Sequence, residues 1–200
     1  MNKVSIPADN AWCPQPLYLY GTYKADGTPD FGLFCWFGYA WTEGLAAMAC
    51  IGSDKLTRER ILETGVFSAN LVTESILPLA DYFGAVNGYD PEKMGVPFSW
   101  GKGEKLNVPI LEGSPVCHEL EVRKTLPANG EGSILLLCDI RNTLTDPALL
   151  NESVSAEDRL RHLAPVVTAG HEEYFSWQGR KLGDWHGLAR SIRPDAKLQD

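Results

Sequence analysis

Short runs of hydrophobic residues, separated by polar turns, recur along the chain and are typical of β-strands. Two such runs, at about residues 17–24 and 31–38, flank a polar stretch around Asp26 and Gly27. Because glycine tolerates a positive φ, this stretch predicts a turn and the two runs predict a hairpin. A third apolar run begins at Gly44 and is rich in small residues. It predicts a strand that is either tightly packed or lies against a flat ligand.

Three segments predict short helices between the strands. The first has Thr57 at its start, where the hydroxyl is expected to cap the N-terminus, and Gly65 at its end, where a left-handed C-terminal cap fits. The second follows the strand VFSANLV and contains Pro78, which must lie in the first turn because proline lacks a backbone N–H. The third runs from about Ser155 to Leu163 and begins with a Ser-x-x-Asp capping pattern.

The order of these elements predicts the fold class. The runs VCHELEVRKTL and GSILLLCDIRNTL indicate two more antiparallel strands around the turn-prone PANGEG. Six strands with only short helices predict a mainly β fold, a six-stranded antiparallel barrel that is closed or nearly closed. We expect one domain over residues 1–200, with a long ordered excursion near 87–115 that is dense in Gly and Pro. Loops of this kind are uncommon unless they bind or cover something.

The composition of the chain limits the classes of partner that the protein is expected to bind. The formal net charge of -8 argues against a broad basic surface for nucleic acid. No apolar run reaches the roughly 20 residues that span a bilayer, and the N-terminus lacks a basic region followed by an apolar one. We therefore expect a cytoplasmic protein with no nucleic-acid or membrane partner.

The cysteines indicate reduced thiols. There are five, without a Cys-x-x-Cys pair, which fits neither a disulfide framework nor a zinc site. Cys35, Cys50 and Cys138 lie in apolar runs, so packing is the expected role and redox chemistry the alternative. Cys13, beside Pro14, has no assigned role. We expect no metal site.

Basic residues gather where the first helix begins. A cation near the positive end of the helix dipole costs about 0.3–1 kcal/mol, yet Lys55, Arg58 and Arg60 all lie there. A bound anion removes that cost, with free amides and the Ser53 and Thr57 hydroxyls converging on it, and a phosphate fits well. The alternative is that the side chains point into water, where screening weakens the dipole. Arg60, a full turn into the helix, is expected on the surface.

Three segments taken in order resemble the flavin reductase-like family, which includes the flavoredoxins: PLYLYGTYKADGTPDFGLFCWFG, KLTRERILETGVFSANL and YDPEKMGVPF. Family members show an Asp-Gly turn, a Thr-x-x-x-Ile helix and a Phe-x-x-Asn strand, here Thr57 to Ile61 and Phe67 to Asn70. The resemblance covers most of the chain. It implies a split β-barrel that binds FMN, usually as a homodimer with the flavin near the subunit interface.

The resemblance also implies roles for particular residues. The FMN phosphate is expected near Ser53, Lys55, Thr57 and Arg58, with Lys93 on the long loop as a second anchor.

The flavin ring is expected against the second and third strands. There Phe34, Cys35 and Trp36 offer backbone amides and an aromatic wall, and Trp36 is the preferred stacking partner, with ordinary barrel packing as its alternative. Asn70 is expected to hold either the flavin or the backbone. Tyr174 is expected either to cover the flavin or to pack the tail on the barrel.

Two features depart from the family pattern. Asp30 stands where many relatives have Asn, so a carboxylate is expected near the flavin and weakens or retunes that contact. A Gly-Asp-His signature found in relatives before the penultimate strand is missing. His118 and His171 are the histidines that could replace it, although a lone histidine is more often structural or solvated.

The implied function is an FMN-dependent oxidoreductase that passes electrons from NAD(P)H or a redox partner protein. The flavin carries the chemistry, so no catalytic side chain is expected. The sequence has no Gly-x-Gly-x-x-Gly fingerprint, which argues against a dinucleotide-binding Rossmann domain. Two alternatives stay open: a non-catalytic flavin-binding electron carrier, and a split-barrel module for another cofactor such as haem, for which no convincing axial ligand is evident.

Overall fold

A computed structural model describes residues 2–10, 13–128, 132–170 and 172–199. It has three helices in this part of the chain: α1 (Leu56–Thr64), α2 (Leu77–Ala85) and α3 (Ala156–Leu163). The strands are β1 (Gln15–Pro16), β2 (Tyr18–Tyr23), β3 (Pro29–Phe34), β4 (Phe37–Trp41), β5 (Leu45–Ile51), β6 (Val66–Leu71), β7 (Trp100–Lys102), β8 (Pro109–Leu111), β9 (Val116–Pro127), β10 (Ile134–Thr145), β11 (Val166–Thr168), β12 (Glu173–Ser176) and β13 (Lys181–Asp184). Short 3₁₀ turns lie at Glu74–Ile76, Pro147–Leu150 and Ala189–Ser191.

The main sheet is antiparallel, with the strand order β3-β2-β6-β9-β10-β5-β4. Its two edge strands, β3 and β4, are joined only by Cys35 and Trp36. Three successive Cα–Cα links span at most about 11 Å, so the two edges must lie close together and the sheet curls into a barrel. The Cys50 amide donates to the Trp36 carbonyl at 2.9 Å across this junction.

The prediction of a mainly β antiparallel fold with short helices is confirmed. The single strand expected over 31–38 is in fact two, β3 and β4, so the main sheet has seven strands in the described ranges. The apolar run continues through the bend at Cys35 and Trp36, so the hydrophobic pattern gives no sign of the break between β3 and β4. The capping pattern of α3 is confirmed, since Ser155 accepts from the Asp158 amide at 3.0 Å, and Pro78 lies in the first turn of α2. The PANGEG turn includes residues 129–131, which lie outside the described residues.

Alternating side chains of β2 divide the core into two layers. Tyr18 and Tyr20 point into the barrel, where they pack with residues such as Phe67. Leu19, together with Leu17 just before β2, points outwards into a second layer that includes the buried face of α2. Because successive strand residues face opposite sides of a sheet, β2 is buried on both faces.

A small sheet with the order β1-β11-β12-β13 packs on the outer layer. Asp81 of α2 fixes the chain that follows it: the fully buried carboxylate accepts from the Tyr174 hydroxyl at 2.5 Å and from the amides of His186, Leu188 and Ala189, each at 2.8 Å. Burial, and then the Asp81 charge, raise the pKa of Tyr174. These bonds bring the C-terminal segment, residues 184–199, alongside α2.

The excursion near 87–115 is ordered and carries the β7–β8 hairpin. Asn70 holds it to the barrel, since the Asn70 side chain donates to the Leu19 carbonyl and accepts from the Leu111 amide, both at 2.9 Å. Asn70 is fully buried. Of the two roles that the sequence left open for Asn70, the structure shows the contact with the backbone.

All five cysteines are free thiols. Burial raises the pKa of Cys35 to about 11 and that of Cys117 and Cys138 to about 12, so these thiols stay protonated near neutral pH. Cys50 is half-buried and Cys13 is exposed.

His118 is buried in the barrel wall. Its Nε2 lies 2.8 Å from the Tyr39 hydroxyl and its Nδ1 lies 2.9 Å from the Thr143 hydroxyl, while the Phe37 ring stacks against it. Burial lowers the pKa of His118 to about 4. His171, the other histidine considered from the sequence, lies outside the described residues.

The buried imidazole makes stability depend on pH. In the unfolded chain His118 titrates near about 6.5, so the unfolded state binds more protons between about pH 6.5 and about pH 4. Its contribution to stability is complete above that window and is lost as the pH falls through it. Between about pH 6 and about pH 5, unfolding in urea should reveal a loss of about 1 kcal/mol. His118→Gln should remove this loss, whereas His162→Gln, on the exposed face of α3, should retain it. If the free energy of unfolding changed equally with pH in the wild type and in His118→Gln, the assignment of this loss to His118 would be contradicted.

Candidate functional site

The N-terminus of α1 has no side-chain cap. Lys55 occupies the N-cap position with an extended backbone (φ -113°, ψ 126°) and makes no capping hydrogen bond with its side chain. The first-turn amides of a helix have no intrahelical acceptor, so an uncapped start is a natural site for an anion. At the other end Gly65 has φ 74°, which confirms the predicted left-handed cap.

The prediction that Thr57 caps this helix is wrong. The helix begins two residues earlier than the sequence pattern suggests, at Leu56 and not at Arg58, so Thr57 lies in its first turn. The Thr57 hydroxyl donates instead to Asp30 Oδ2 at 3.3 Å, and its side chain is buried. Asp30 precedes Thr57 by 27 residues, so a tertiary contact has displaced the local capping bond.

Asp30 also binds Lys93. The Lys93 Nζ lies 3.3 Å from Asp30 Oδ1, and both residues are buried. Burial lowers the pKa of Lys93, the Asp30 charge opposes that effect, and the charges of Lys24 and Lys55 lower the pKa further. Lys93 was expected as an anchor on a loop, but it is ion-paired beneath the start of α1. The positive charges of Lys24, Lys55 and Lys93 therefore repel one another near the start of α1.

Two adjoining hollows form a continuous trough beside α1. Both hollows are lined by Leu33, Phe34, Lys55, Gly84 and Gln199. The inner hollow also includes Thr57 and Lys93. The outer hollow, of about 290 Å³, also includes Cys35, Trp36, Cys50, Trp185 and His186. The trough thus joins the uncapped helix start at one end to an aromatic wall at the other.

The aromatic wall is part exposed and part packed. Trp36 is 46% exposed, so its ring is accessible. Phe34 is half-buried and stacks on Tyr20, with ring centroids 4.4 Å apart. Cys35 lies between them in the chain and is buried, which leaves Trp36 as the side chain of this link that a ligand can reach.

Two glycines allow the walls of the trough to pack closely. A Cβ at Gly84 would lie 2.8 Å from Leu33 Cβ, and one at Gly32 would lie 3.0 Å from the Thr57 hydroxyl oxygen. Separations this short are not tolerated, so neither position accepts a side chain without a shift of its neighbour. Glycine at these positions lets α2 and the start of α1 approach β3 closely.

The C-terminal segment forms one side of the trough. Lys55 Nζ donates to Gln199 Oε1 at 3.2 Å, the Gln199 amide donates to the Ala85 carbonyl at 2.7 Å, and Leu198 pairs with Val86. Sequence reasoning missed Gln199, and it also missed Trp185 and His186. No local pattern marks them, because the bonds of Asp81 bring this segment to the barrel.

The family resemblance implied binding roles for a set of residues, and the structure places most of them in the trough. Phe34, Cys35, Trp36, Lys55, Thr57 and Lys93 line it, and Asp30 lies directly beneath.

Other expected residues lie elsewhere. Ser53 lies in the link before α1, against Gly132. Arg58 lines a neighbouring hollow with Tyr89, and its buried Nε has no hydrogen-bond partner among the described residues. Tyr174 is fully buried with its hydroxyl on Asp81, so it packs the tail on the barrel, one of the two roles left open.

The expectation that Arg60 lies on the surface is wrong. Arg60 is 8% exposed, its Nε donates to the Tyr23 carbonyl at 2.9 Å, and its guanidinium pairs with Glu63. The end of β2 therefore supplies the partner that buries this side chain.

Comparison with known proteins places the chain in a family. The sequence model of the flavin reductase like domain matches residues 11–163, and the chain belongs to that family. This membership supports a flavin-binding redox function. A search of curated proteins finds no significant match. In the described ranges, no helix is long and apolar enough to cross a membrane.

Solved structures share the fold. The chain is similar to flavoredoxin of Desulfovibrio vulgaris (Miyazaki F), with a TM-score of 0.74 and 22% identity over 88% of this chain and 93% of that one. It is similar to 2-nitrobenzoate 2-nitroreductase from Pseudomonas fluorescens, with a TM-score of 0.70 and 18% identity over 84% and 82%. It is also similar to an FMN-binding protein from Thermus thermophilus, with a TM-score of 0.69 and 18% identity over 88% and 93%.

Proposed function

We propose that the chain binds FMN in the trough and acts as an oxidoreductase of the flavin reductase type. One observation carries the proposal: the uncapped start of α1 with its exposed Lys55 opens into the same trough as the Trp36 ring. FMN combines a phosphate with a flat aromatic ring system, so it needs an anion site and an aromatic wall within one molecule's length. The similarity to an FMN-binding protein supports this choice of ligand.

The phosphate belongs at the start of α1. Lys55 now donates to the neutral Gln199, and a phosphate oxygen is a stronger acceptor for an ammonium group. The backbone amides of the first turn add donors, including that of Thr57, whose hydroxyl is already engaged by Asp30. Ser53 and Arg58 lie outside the trough, so Lys55 and these amides form the proposed phosphate site.

The ring belongs against Trp36 and Phe34. Bound FMN supplies the electron transfer, while the protein binds and orients it. Lys55 and the buried Lys93 place positive charge along the trough, which stabilises the negative charge that reduction adds to a flavin. Asp30 fixes the Lys93 ammonium and partly offsets it, and this is the retuning expected where relatives have Asn.

NAD(P)H is the proposed electron donor. Steady-state oxidation of NADH or NADPH, followed with catalytic FMN and an excess of a terminal acceptor, tests this directly. Turnover that depends on the protein supports a reductase. Absence of turnover, together with reduction of the bound flavin by a reduced partner protein, would instead establish the non-catalytic carrier.

A homodimer is the proposed assembly. Large apolar side chains are exposed along β4 and β5: Tyr39, Trp41, Leu45 and Met48, with exposures of 51%, 81%, 55% and 40%. An apolar strip of this kind is typical of an interaction surface, and it adjoins Trp36 on the trough. Sedimentation equilibrium that returns the monomer mass at micromolar concentrations would contradict the dimer.

A further inference from the structure

A second concave surface lies at the other end of α1. This basic groove, of about 670 Å³, is lined by Tyr23, Lys24, Arg60, Trp100, Lys102 and Asn107. Its volume is within the range of small-molecule sites, which is roughly 300–1,000 Å³. Its walls are the β2–β3 turn, the C-terminal half of α1 and strand β7 of the long excursion.

We propose that the basic groove binds a small planar aromatic anion, a ring that carries a phosphate or a carboxylate. The proposal does not depend on the flavin, because none of the residues that line the groove lines the trough.

Charge in the groove favours an anion. Lys24 and Lys102 have no carboxylate within ion-pairing distance among the described residues, and Arg60 is paired only with Glu63. The nearby Asp26 carboxylate is occupied by its own turn, where it accepts from the Thr28 amide and hydroxyl at 2.9 and 2.6 Å. Glu112 is the carboxylate that lies beside β7, near Gly101. Asp26, Glu63 and Glu112 remain charged nearby, but three cations and no carboxylate line the groove itself. Its surface is therefore positive on a chain whose net charge is -8, and this contrast attracts anions.

Two rings in the groove favour a planar ligand. Trp100 is 36% exposed and its ring lies edge-on to Tyr23, with centroids 6.0 Å apart and planes at 69°. An exposed indole face is a good stacking surface for a flat ring. The buried Tyr23 hydroxyl, in the same wall, has no hydrogen-bond partner in the described part of the chain. Buried polar groups normally have partners, so this hydroxyl is a donor that a ligand oxygen can satisfy after a small rotation of the side chain.

The excursion supplies half of the groove. Long Gly- and Pro-rich loops are uncommon unless they bind or cover something, and here the β7–β8 hairpin contributes Trp100 and Lys102. Asn70 and Glu119 hold the hairpin rigidly, since the Glu119 carboxylate accepts from the amides of Glu104 and Lys105 at 2.9 and 2.8 Å. The groove is therefore formed before any ligand arrives.

Calorimetric titration of the full-length protein tests the proposal. The probes are AMP and benzoate, which combine a ring with an anion, and adenosine and inorganic phosphate, which each have one half. AMP or benzoate should bind with one site per chain. The tighter of the two shows whether the anionic group of the ligand is a phosphate or a carboxylate. Adenosine and phosphate should bind at least about tenfold more weakly than AMP.

Variants locate the site. Trp100→Ala and Lys102→Ala should each weaken binding at least about tenfold, while Lys105→Ala, an exposed lysine on the same hairpin outside the groove, should change it less than about twofold. Trp100→Phe and Lys102→Gln repeat the test with smaller changes, and unchanged FMN affinity verifies the fold of each variant. The proposal is overturned if neither AMP nor benzoate binds at millimolar concentration, if phosphate alone binds as tightly as AMP, or if the groove variants bind like the wild type.

Discussion

Asp81→Ala should lower the free energy of unfolding by about 4 kcal/mol or more, because it removes the acceptor of four hydrogen bonds at once. The Tyr174 hydroxyl and the amides of His186, Leu188 and Ala189 would all lose their partner. Each donor left unsatisfied in a buried place costs about 1–3 kcal/mol, and partial hydration of the loosened segment reduces the sum. Urea unfolding followed by circular dichroism measures the loss.

Asp195→Ala is the matched control for that change. Asp195 lies in the same C-terminal segment, but it is exposed, and within the described ranges its ion pair is with Arg193, at 3.2 Å. Exposed ion pairs contribute about 0–1 kcal/mol, so this variant should unfold almost like the wild type. If the loss for Asp81→Ala stayed below about 1 kcal/mol, the carboxylate would not be the anchor of this segment.

Lys55→Met should raise the Kd for FMN by about 10- to 100-fold and leave the Kd for riboflavin unchanged. A hydrogen bond from a charged donor contributes about 1.5–3 kcal/mol, and every 1.4 kcal/mol is about a factor of ten. Methionine keeps most of the length of the side chain and removes only its charge. Riboflavin lacks the phosphate, so the comparison isolates the contact that Lys55 is proposed to make.

Lys105→Met provides the control for a general charge effect, since Lys105 is exposed and lies outside the trough. It should bind both flavins like the wild type. Equal losses of FMN and riboflavin affinity in Lys55→Met would mean that Lys55 shapes the trough without touching a phosphate, and no loss at all would place the phosphate elsewhere.

Features set by neighbours in the chain were predictable from the sequence. The turn at Gly27 has φ 82°, Gly65 ends α1, and Ser155 caps α3, because each depends on the conformation of a few adjacent residues. The resemblance to the family then indicated the type of barrel. It also identified most of the residues that line the trough as candidates for binding.

Features set by distant residues were not predictable. Thr57 was expected to cap α1, but Asp30 takes its hydroxyl, and Arg60 was expected in solvent, but the Tyr23 carbonyl holds it. Lys93 has the expected place near α1 but is buried as an ion pair. The C-terminal wall of the trough depends on hydrogen bonds to Asp81 from residues about a hundred positions later, and such contacts leave no periodicity in the sequence.

The most direct test of the central proposal is a fluorescence titration of FMN with the purified protein, accompanied by the visible spectrum of the protein after removal of free flavin. The proposal predicts saturable quenching with one FMN per chain and a yellow protein that keeps the flavin spectrum. A protein that stays colourless and leaves FMN fluorescence unchanged at micromolar concentrations would contradict it.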